Sequence, residues 1–495
     1  MKICFLPLDS RPCTSLFPRQ LAALRGCTLT VPPENRMDYF KTPSQTEEIW
    51  SWLERETADA HILILSVEQL VYGGLIASRG GSCPADQAKR SLIRLERLKE
   101  RSPQLKIYAS NVLMRTTVST LSRNSQIWWE QIARYSGLKY AAITEKGEKQ
   151  KQAEKNLELL EAKIPASVLE EFLLARQRNH MVNMECVRLA KAGVFERLLI
   201  LQEDCSTLGL QVLEQNEIRE AVRESSLQEK VFLHNGTDEA GMELVLYALS
   251  AGTGMDSGVG MDIRIEWLWE NRGFTAKYED RPFTENLKSH MRAAGIRETK
   301  EADQCLLILP PRSVQGDYCP KWENPDSYTQ EEYEAMAQRA ASLINQGNPC
   351  YLLDVSYANG GDLRFMKQLA RMTEPDRLCG YAAWNTAGNS LGTILAQILA
   401  CRGHNTEDNQ RFTAERLLDD LLYQAAVRQT FSERLAGSGE DVWCLKDSKG
   451  AEKLLEQAVQ MHRTDFEAVF AGKLPEFSIR LPWPRVFEAE VIADK

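Results

Sequence analysis

Short apolar runs alternate with longer stretches of helical period along most of this chain. Strands buried on both faces read as continuous apolar runs rather than as strict alternation. Eight such runs fall at 2–8, 27–31, 61–66, 105–110, 140–144, 197–201, 230–233 and 262–267. Helical spacing separates most of them, as at 84–101, 122–135 and 211–225. Eight strands with intervening helices match the size and rhythm of a (β/α)8 barrel, a fold of roughly 250 residues. A doubly wound parallel sheet is the alternative. The expected fold is therefore α/β, with a barrel-like domain over 1–270.

Past residue 270 the pattern restarts. Runs at 304–309, 349–355 and 377–381 read as buried strands, with helical stretches at 329–345, 363–372 and 391–401. This predicts a second, smaller α/β domain over 271–405. The remainder, 406–495, is mostly helical, with main segments at 410–435 and 450–470. It is expected to pack on the body, with the Pro-rich stretch 474–485 wrapping back over it. Within the first domain, 145–163 is dense in Lys, Glu and Gln, and a second helical stretch covers 167–192. A solvated helix face is the simplest reading of that charge; a lid or a contact in a homo-oligomer is the other.

Composition narrows the classes. The chain has 495 residues, 43% hydrophobic and 26% charged, as soluble globular proteins do. Its net charge of -9 argues against nucleic acid as a partner. No apolar run approaches the roughly 20 residues that span a bilayer, so no membrane partner is expected. The opening run meets Asp9 too early for a secretory signal, which points to a cytoplasmic protein. The 12 cysteines are scattered without a C-x-x-C pair and read as buried reduced thiols. Cys and His never cluster at ligand spacing, so no metal and no cofactor are expected. The Gly252–Gly258 stretch opens G-x-G after a helix rather than a strand, which argues against a dinucleotide loop.

Polar residues gather where the expected strands end: Asp9 and Arg11, Glu68, Asn111 and Arg115, Glu203 and Asp204, then His234, Asp238 and Glu239. In a barrel such ends converge on one mouth. Asp238 and Glu239 have a plainer explanation, because Thr237 suits a helix N-cap and acids in a first turn offset the helix dipole. Two denser segments follow in the second domain. One carries Asp354, Asn359 and Asp362; the other carries Trp384, Asn385 and Asn389. Turn chemistry accounts for Asn and Asp there. An aromatic face beside amides and carboxylates is also how sugars are held. Asp9, Arg11, Asp238, Glu239, Asn359 and Asn385 are expected to line one cleft. Arg416, Asp419 and Asp420 read as a buried ion-pair network in the helical tail.

These residues resemble a bacterial family known as domain of unknown function 4127, over nearly the whole chain. The resemblance rests on Pro7-Leu8-Asp9-Ser10-Arg11-Pro12, Tyr72-Gly73-Gly74-Leu75-Ile76-Ala77-Ser78-Arg79, and Arg176-x-Arg178-Asn179 with Asn183. It continues through Gly236-Thr237-Asp238-Glu239, the run from Asp354 to Asp362, and Trp384-Asn385-Thr386-Ala387-Gly388-Asn389. Locally, His234-x-Gly236-x-Asp238-Glu239 is similar to the strand-end motif of family 20 glycoside hydrolases, the β-N-acetylhexosaminidases. There the pair follows the fourth strand; here it follows the seventh expected one. That similarity implies Glu239 as general acid and Asp238 as the group orienting a substrate acetamido. The expectation is a glycoside hydrolase for a small amino-sugar glycoside, with Asp9, Arg11, Arg115, His234, Asp354, Asn359, Asp362, Trp384, Asn385 and Asn389 binding substrate. The alternatives are a divalent-metal hydrolase or lyase using Asp9, Glu203, Asp204 and Asp238, and a non-catalytic sugar or nucleotide sensor.

Overall fold

The computed structural model describes residues 1–252, 261–317 and 327–494. Residues 253–258 of the glycine-rich loop lie outside the described residues. The chain divides into two compact units. The first comprises Met1–Arg19, Thr28–Ala248 and Tyr278–Asp280; the second comprises Gln20–Cys27, Leu249–Lys277 and Arg281–Lys495. Both are mixed α/β units built on parallel sheets.

In the first unit, β1 (Ile3–Leu6), β2 (Leu29–Thr30), β3 (Ile62–Ser66), β4 (Lys106–Leu113), β5 (Arg197–Gln202) and β6 (Val231–Asn235) pair in the order β2-β1-β3-β4-β5-β6. Every pairing is parallel. The runs Ile-Cys-Phe-Leu of β1 and Ile-Leu-Ile-Leu of β3 are buried throughout, as strands covered on both faces must be. This order departs from the sequential pairing expected of a barrel, since β1 lies between β2 and β3. The expected strand at 140–144 is instead the end of the helix Arg123–Thr144. A short apolar run does not by itself distinguish strand from helix, and here Ile143 is exposed where a parallel strand would be covered. The expected eighth strand, 262–267, pairs in the second unit.

The insertion after β4 is three helices, Arg123–Thr144, Glu148–Glu161 and Ala166–Lys191, which share a small apolar cluster around Tyr135, Leu157, Leu160 and Phe172. The charged stretch therefore buries Ala153, Leu157 and Leu160 and turns its Lys and Glu outward. The Arg-x-Arg-Asn motif lies on the inner face of Ala166–Lys191. Arg178 donates to the carbonyls of Gly80 and Cys83, each at 2.9 Å, and to that of Ser78, while stacking on the Tyr72 ring. Asn183 donates to Asn111 Oδ1 at 2.6 Å and to the Val112 carbonyl at 3.0 Å. One helix thus fixes both the Tyr72–Cys83 loop and the end of β4.

The second unit contains β7 (Met261–Trp267), β8 (Ile296–Glu298), β9 (Cys305–Leu309), β10 (Gly316–Asp317), β11 (Cys350–Asp354), β12 (Tyr357–Ala358), β13 (Leu378–Ala382), β14 (Phe477–Arg480) and β15 (Glu490–Ala493). Its main sheet runs β13-β11-β9-β7-β8, all parallel. The pair β10-β12 stands apart, and β14-β15 is an antiparallel hairpin formed by the Pro-rich end of the chain. The helical tail is not a separate layer: Leu418, Leu421, Phe431, Leu455 and Phe466 share one apolar cluster with Leu307, Leu352 and Tyr381. The helix Glu407–Arg416 passes directly into a π-helix, Leu417–Val427, before α-helix resumes at Arg428–Gly437. The Arg428 N–H bonds the Tyr423 carbonyl, five residues back. No helix among the described residues is long and apolar enough to cross a membrane.

One glycine of the Tyr72–Arg79 stretch has a direct steric reason. Gly74 adopts φ +121, and a Cβ there would lie 3.0 Å from Asp38 Cγ. Gly74→Ala is expected to cost about 1–3 kcal/mol, the range for a side chain forced into glycine-only backbone space. A urea melt of the full-length chain measures this. An unchanged midpoint would show that the Asp38 loop yields freely.

Candidate functional site

Buried polar side chains gather at the carboxyl ends of the first sheet, among them Asp9, Glu68, Asn111, Glu203 and Asp238. After β1 the chain turns at Asp9, which is fully buried and accepts from the Arg11 backbone N–H at 3.0 Å and from Thr14 Oγ1 at 2.7 Å. The Arg11 guanidinium lies between two carboxylates. Its Nε and Nη2 donate to Asp9, the latter at 2.7 Å. Its Nη2 and Nη1 donate to the two oxygens of Asp238 at 2.6 and 3.1 Å. Asp38 is buried beside this pair. Burial, and then the charge of Asp9, push its carboxyl well above the usual range, against the pull of Arg11.

Two further networks follow along the sheet edge. Glu68, at the start of the helix after β3, is fully buried and accepts from Asn111 Nδ2 at 2.8 Å, the Val112 N–H at 2.7 Å and Ser66 Oγ at 2.9 Å. Burial raises its pKa while these donors hold it down. At the end of β5, Glu203 takes Arg79 and Arg115, and Asp204 pairs with Arg115. The strand-end acids proposed for a metal, Asp9, Glu203, Asp204 and Asp238, are thus each engaged by an arginine.

β6 ends in His234 and Asn235, and Gly236 turns the chain with φ +122. That conformation lets the Glu239 carboxyl fold back against the glycine, where any Cβ would collide with it. Glu239 Oε2 accepts the Thr237 N–H at 2.7 Å, and Oε1 makes no hydrogen bond among the described residues. His234 lies between two acids: Nδ1 is 3.9 Å from Glu239 Oε1, and Nε2 is 3.4 Å from Glu243 Oε2. Burial first, then the charge of Glu243, raise the Glu239 pKa well above an ordinary glutamate, against the effect of His234. Because His234 turns a different nitrogen to each acid, these three groups do not share one face of the imidazole. The helix-capping explanation for the acid pair does not describe Asp238, whose oxygens both meet Arg11.

The first unit therefore brings together Asp9, Arg11 and Asp238 in one ion-pair cluster, and His234 with Glu239 in another, while Arg115 belongs to the Glu203 network. Asp38 and Glu243 were not anticipated. Glu243 stands one helical turn after Glu239, a spacing visible in the sequence. Nothing local marks Asp38.

The second-unit candidates are held by their own loops. Asp354 Oδ2 accepts the Asp362 N–H at 2.6 Å and Tyr381 Oη at 3.3 Å. Asp362 caps the helix Leu363–Leu369 through the N–H groups of Arg364 and Phe365 and accepts Tyr333 Oη at 2.7 Å. Asn359 and Asn385 both take left-handed backbone, and Asn359 donates to Asp317 at 2.9 Å. Trp384 is buried, with its indole Nε1 unbonded among the described residues. Asn389 is buried at the helix start capped by Thr386. As read from the sequence, Arg416 pairs with Asp419 at 3.2 Å and Asp420 at 2.8 Å, all buried. A cavity of about 660 Å³ in this unit, lined by Leu378, Arg411, Leu417, Phe470 and Lys473 among others, holds none of the expected site residues.

Two predictions follow from the buried charges. Arg11→Met removes the buried guanidinium that Asp9 and Asp238 share. It is expected to cost about 3–5 kcal/mol, as breaking a buried pair does, and chemical denaturation measures it. A loss under 1 kcal/mol, the typical worth of an exposed pair, would show that solvent screens the pair. Burial and the neighbouring Asp362 push Asp354 up to about 7 from an ordinary 3.8. The native state then keeps a proton that the unfolded chain has released, so this group lowers stability as pH rises from about 4 through 7. Asp354→Asn is expected to flatten the fall in Tm between about pH 4 and 7; an unaltered slope counts against it.

No curated protein and no solved structure matches this chain. A family model described as "Protein of unknown function (DUF4127)" matches residues 3–492. Its span takes in the Asp9–Arg11 turn, the Gly73–Gly74 loop, the Asp238–Glu239 turn and both second-unit loops, and the chain belongs to that family.

Proposed function

We propose that the protein is a glycoside hydrolase acting on a small amino-sugar glycoside, with Glu239 as general acid/base. The observation that carries this is the contrast between two adjacent acids. Glu239 is buried and held toward its protonated form, while Asp238 is an ion-paired carboxylate on Arg11. Neighbouring acids placed in opposed environments take opposed roles, one giving a proton and one supplying charge.

Glu239 protonates the glycosidic oxygen as the bond to the anomeric carbon breaks. The carbonyl oxygen of the substrate's acetamido attacks that carbon from the other side. Asp238, held in place by Arg11, accepts the acetamido N–H as it gains charge. Glu239, now ionised, then takes a proton from the water that opens the intermediate. Adjacent acids suit this route, because no second carboxylate is needed at the spacing that ordinary retaining enzymes use. Glu239 has no exposed surface, so substrate contact requires a movement that uncovers it.

The placement is compatible with either sheet topology, since barrels and doubly wound sheets both bind ligands at carboxyl strand ends. The Arg11–Asp238 bridge favours a curled, barrel-like first unit. In a flat sheet of this order β1 and β6 would stand roughly 19 Å apart, at about 4.8 Å per strand.

Turnover of a panel of N-acetylamino-sugar glycosides tests the reading. Glu239→Gln is expected to lose roughly 10²–10⁴ in rate on poor leaving groups, and to spare nitrophenyl glycosides, whose leaving group needs no proton. Asp238→Asn should slow both alike. Activity should survive EDTA; loss on chelation with rescue by magnesium or manganese would favour a metal hydrolase. Near-normal turnover by both variants, or none by the wild type across the panel, would overturn the assignment.

A further inference from the structure

At the amino ends of the second sheet, away from the strand ends that carry Asp354 and Trp384, three reactive side chains stand in one row. Cys305 opens β9 and Cys350 opens β11, and the two are direct partners in the parallel register. Arg264 of β7 is the partner of Cys305 on its other side. Partners in a parallel ladder project to the same face and stand about 4.8 Å apart at Cα. That separation is inside the range a disulfide accepts. The order across the sheet is therefore guanidinium, thiol, thiol.

We propose that Cys305 and Cys350 form an oxidisable dithiol, in which Cys305 reacts with hydrogen peroxide and Cys350 resolves it to a disulfide. Thiols react as thiolates, and a neighbouring cation favours that form. Arg264 supplies one: its Nε and Nη2 make no hydrogen bond among the described residues, although Glu266 is 3.7 Å from Nε. The Cys350 thiol and then Arg264 hold Cys305 below an ordinary thiol, against burial. Cys350, by contrast, is pushed up, so the pair has one nucleophile and one proton-bearing partner. Both sulfurs are buried, but the Arg264 side chain is 25% exposed, which gives solvent an approach at that end of the row.

The chemistry balances without a further reagent. The Cys305 thiolate attacks one peroxide oxygen; an S–O bond forms, the O–O bond breaks, and hydroxide leaves, taking up the proton that Cys305 gave up. Cys350 sulfur then attacks the sulfenic sulfur. The S–S bond forms, the S–O bond breaks, and the departing hydroxide takes the Cys350 proton. Two thiols lose two electrons, and one peroxide becomes two waters.

Peroxide titration of the full-length protein, followed by non-reducing digestion and mass spectrometry, tests this. The expected product is a Cys305–Cys350 cross-link, 2 Da lighter than the reduced pair and reversed by dithiothreitol. Cys350→Ser should stop at a dimedone-reactive Cys305. Arg264→Gln should slow cross-linking about tenfold, the loss expected when the thiolate fraction falls by one pKa unit. The wild-type map requires no variant to fold. Cys305 and Cys350 remaining reduced while the half-buried Cys27 and Cys444 oxidise would overturn the proposal. So would a bridge that maps to Cys379.

Discussion

The first unit depends on one guanidinium. Arg11 is buried with Asp9 and Asp238 bonded to it and Asp38 close by. Carboxyls gathered around a buried guanidinium are costly to ionise together in a medium of low dielectric. Burial and the charge of Asp9 favour the protonated form of Asp38. The geometry follows from the charge balance. Asp9 belongs to the turn after β1 and Asp238 to the turn after β6, so the cluster joins strands four places apart in the sheet order. Gly74 leaves room for Asp38, and Gly236 leaves room for Glu239 one residue beyond the bridge.

The two sheets share an order. Taken in its own chain sequence, the main sheet of the second unit runs 5-4-3-1-2, and the first runs 2-1-3-4-5-6. In both, the order reverses beside the first strand. In the first unit that place carries Asp9 and Arg11 on one side and Glu68 on the other. The second unit uses its acids differently. Asp354 and Asp362 turn inward to backbone N–H groups and tyrosine hydroxyls, so they shape the loop after β11.

Much of this was legible in the sequence. Strands such as 62–66 and 350–354 declare themselves because full burial demands unbroken apolar runs. The polar strand ends were equally visible, because a loop begins wherever such a run stops. The segment 140–144 misled because five apolar residues suit a helix end as well as a strand. Strand order was not legible, since β1 pairs with β3 across about 55 intervening residues whose pattern says nothing of neighbours. Asp38 was missed for a related reason. Its role comes from a loop brought against Gly74 by tertiary packing, and nothing beside it in sequence shows that. Composition suggested buried reduced thiols, whereas the Arg264–Cys305–Cys350 row emerges only once register is known.

The π-helix at Leu417–Val427 has a consequence for how its side chains are aimed. Hydrogen bonds reaching five residues back wind the chain with more residues per turn than an α-helix has. Were this stretch to wind as α-helix instead, each residue would turn by about 100°, a larger step than here, and the offset would accumulate along it. The Tyr423 hydroxyl, bonded to the Val486 carbonyl at 2.6 Å, and Asp420, bonded to the Ala383 N–H at 3.1 Å, would then lose their alignment with each other. Side chains in this stretch can drift, but its length cannot, so insertions and deletions among relatives should avoid it even where identities do not persist.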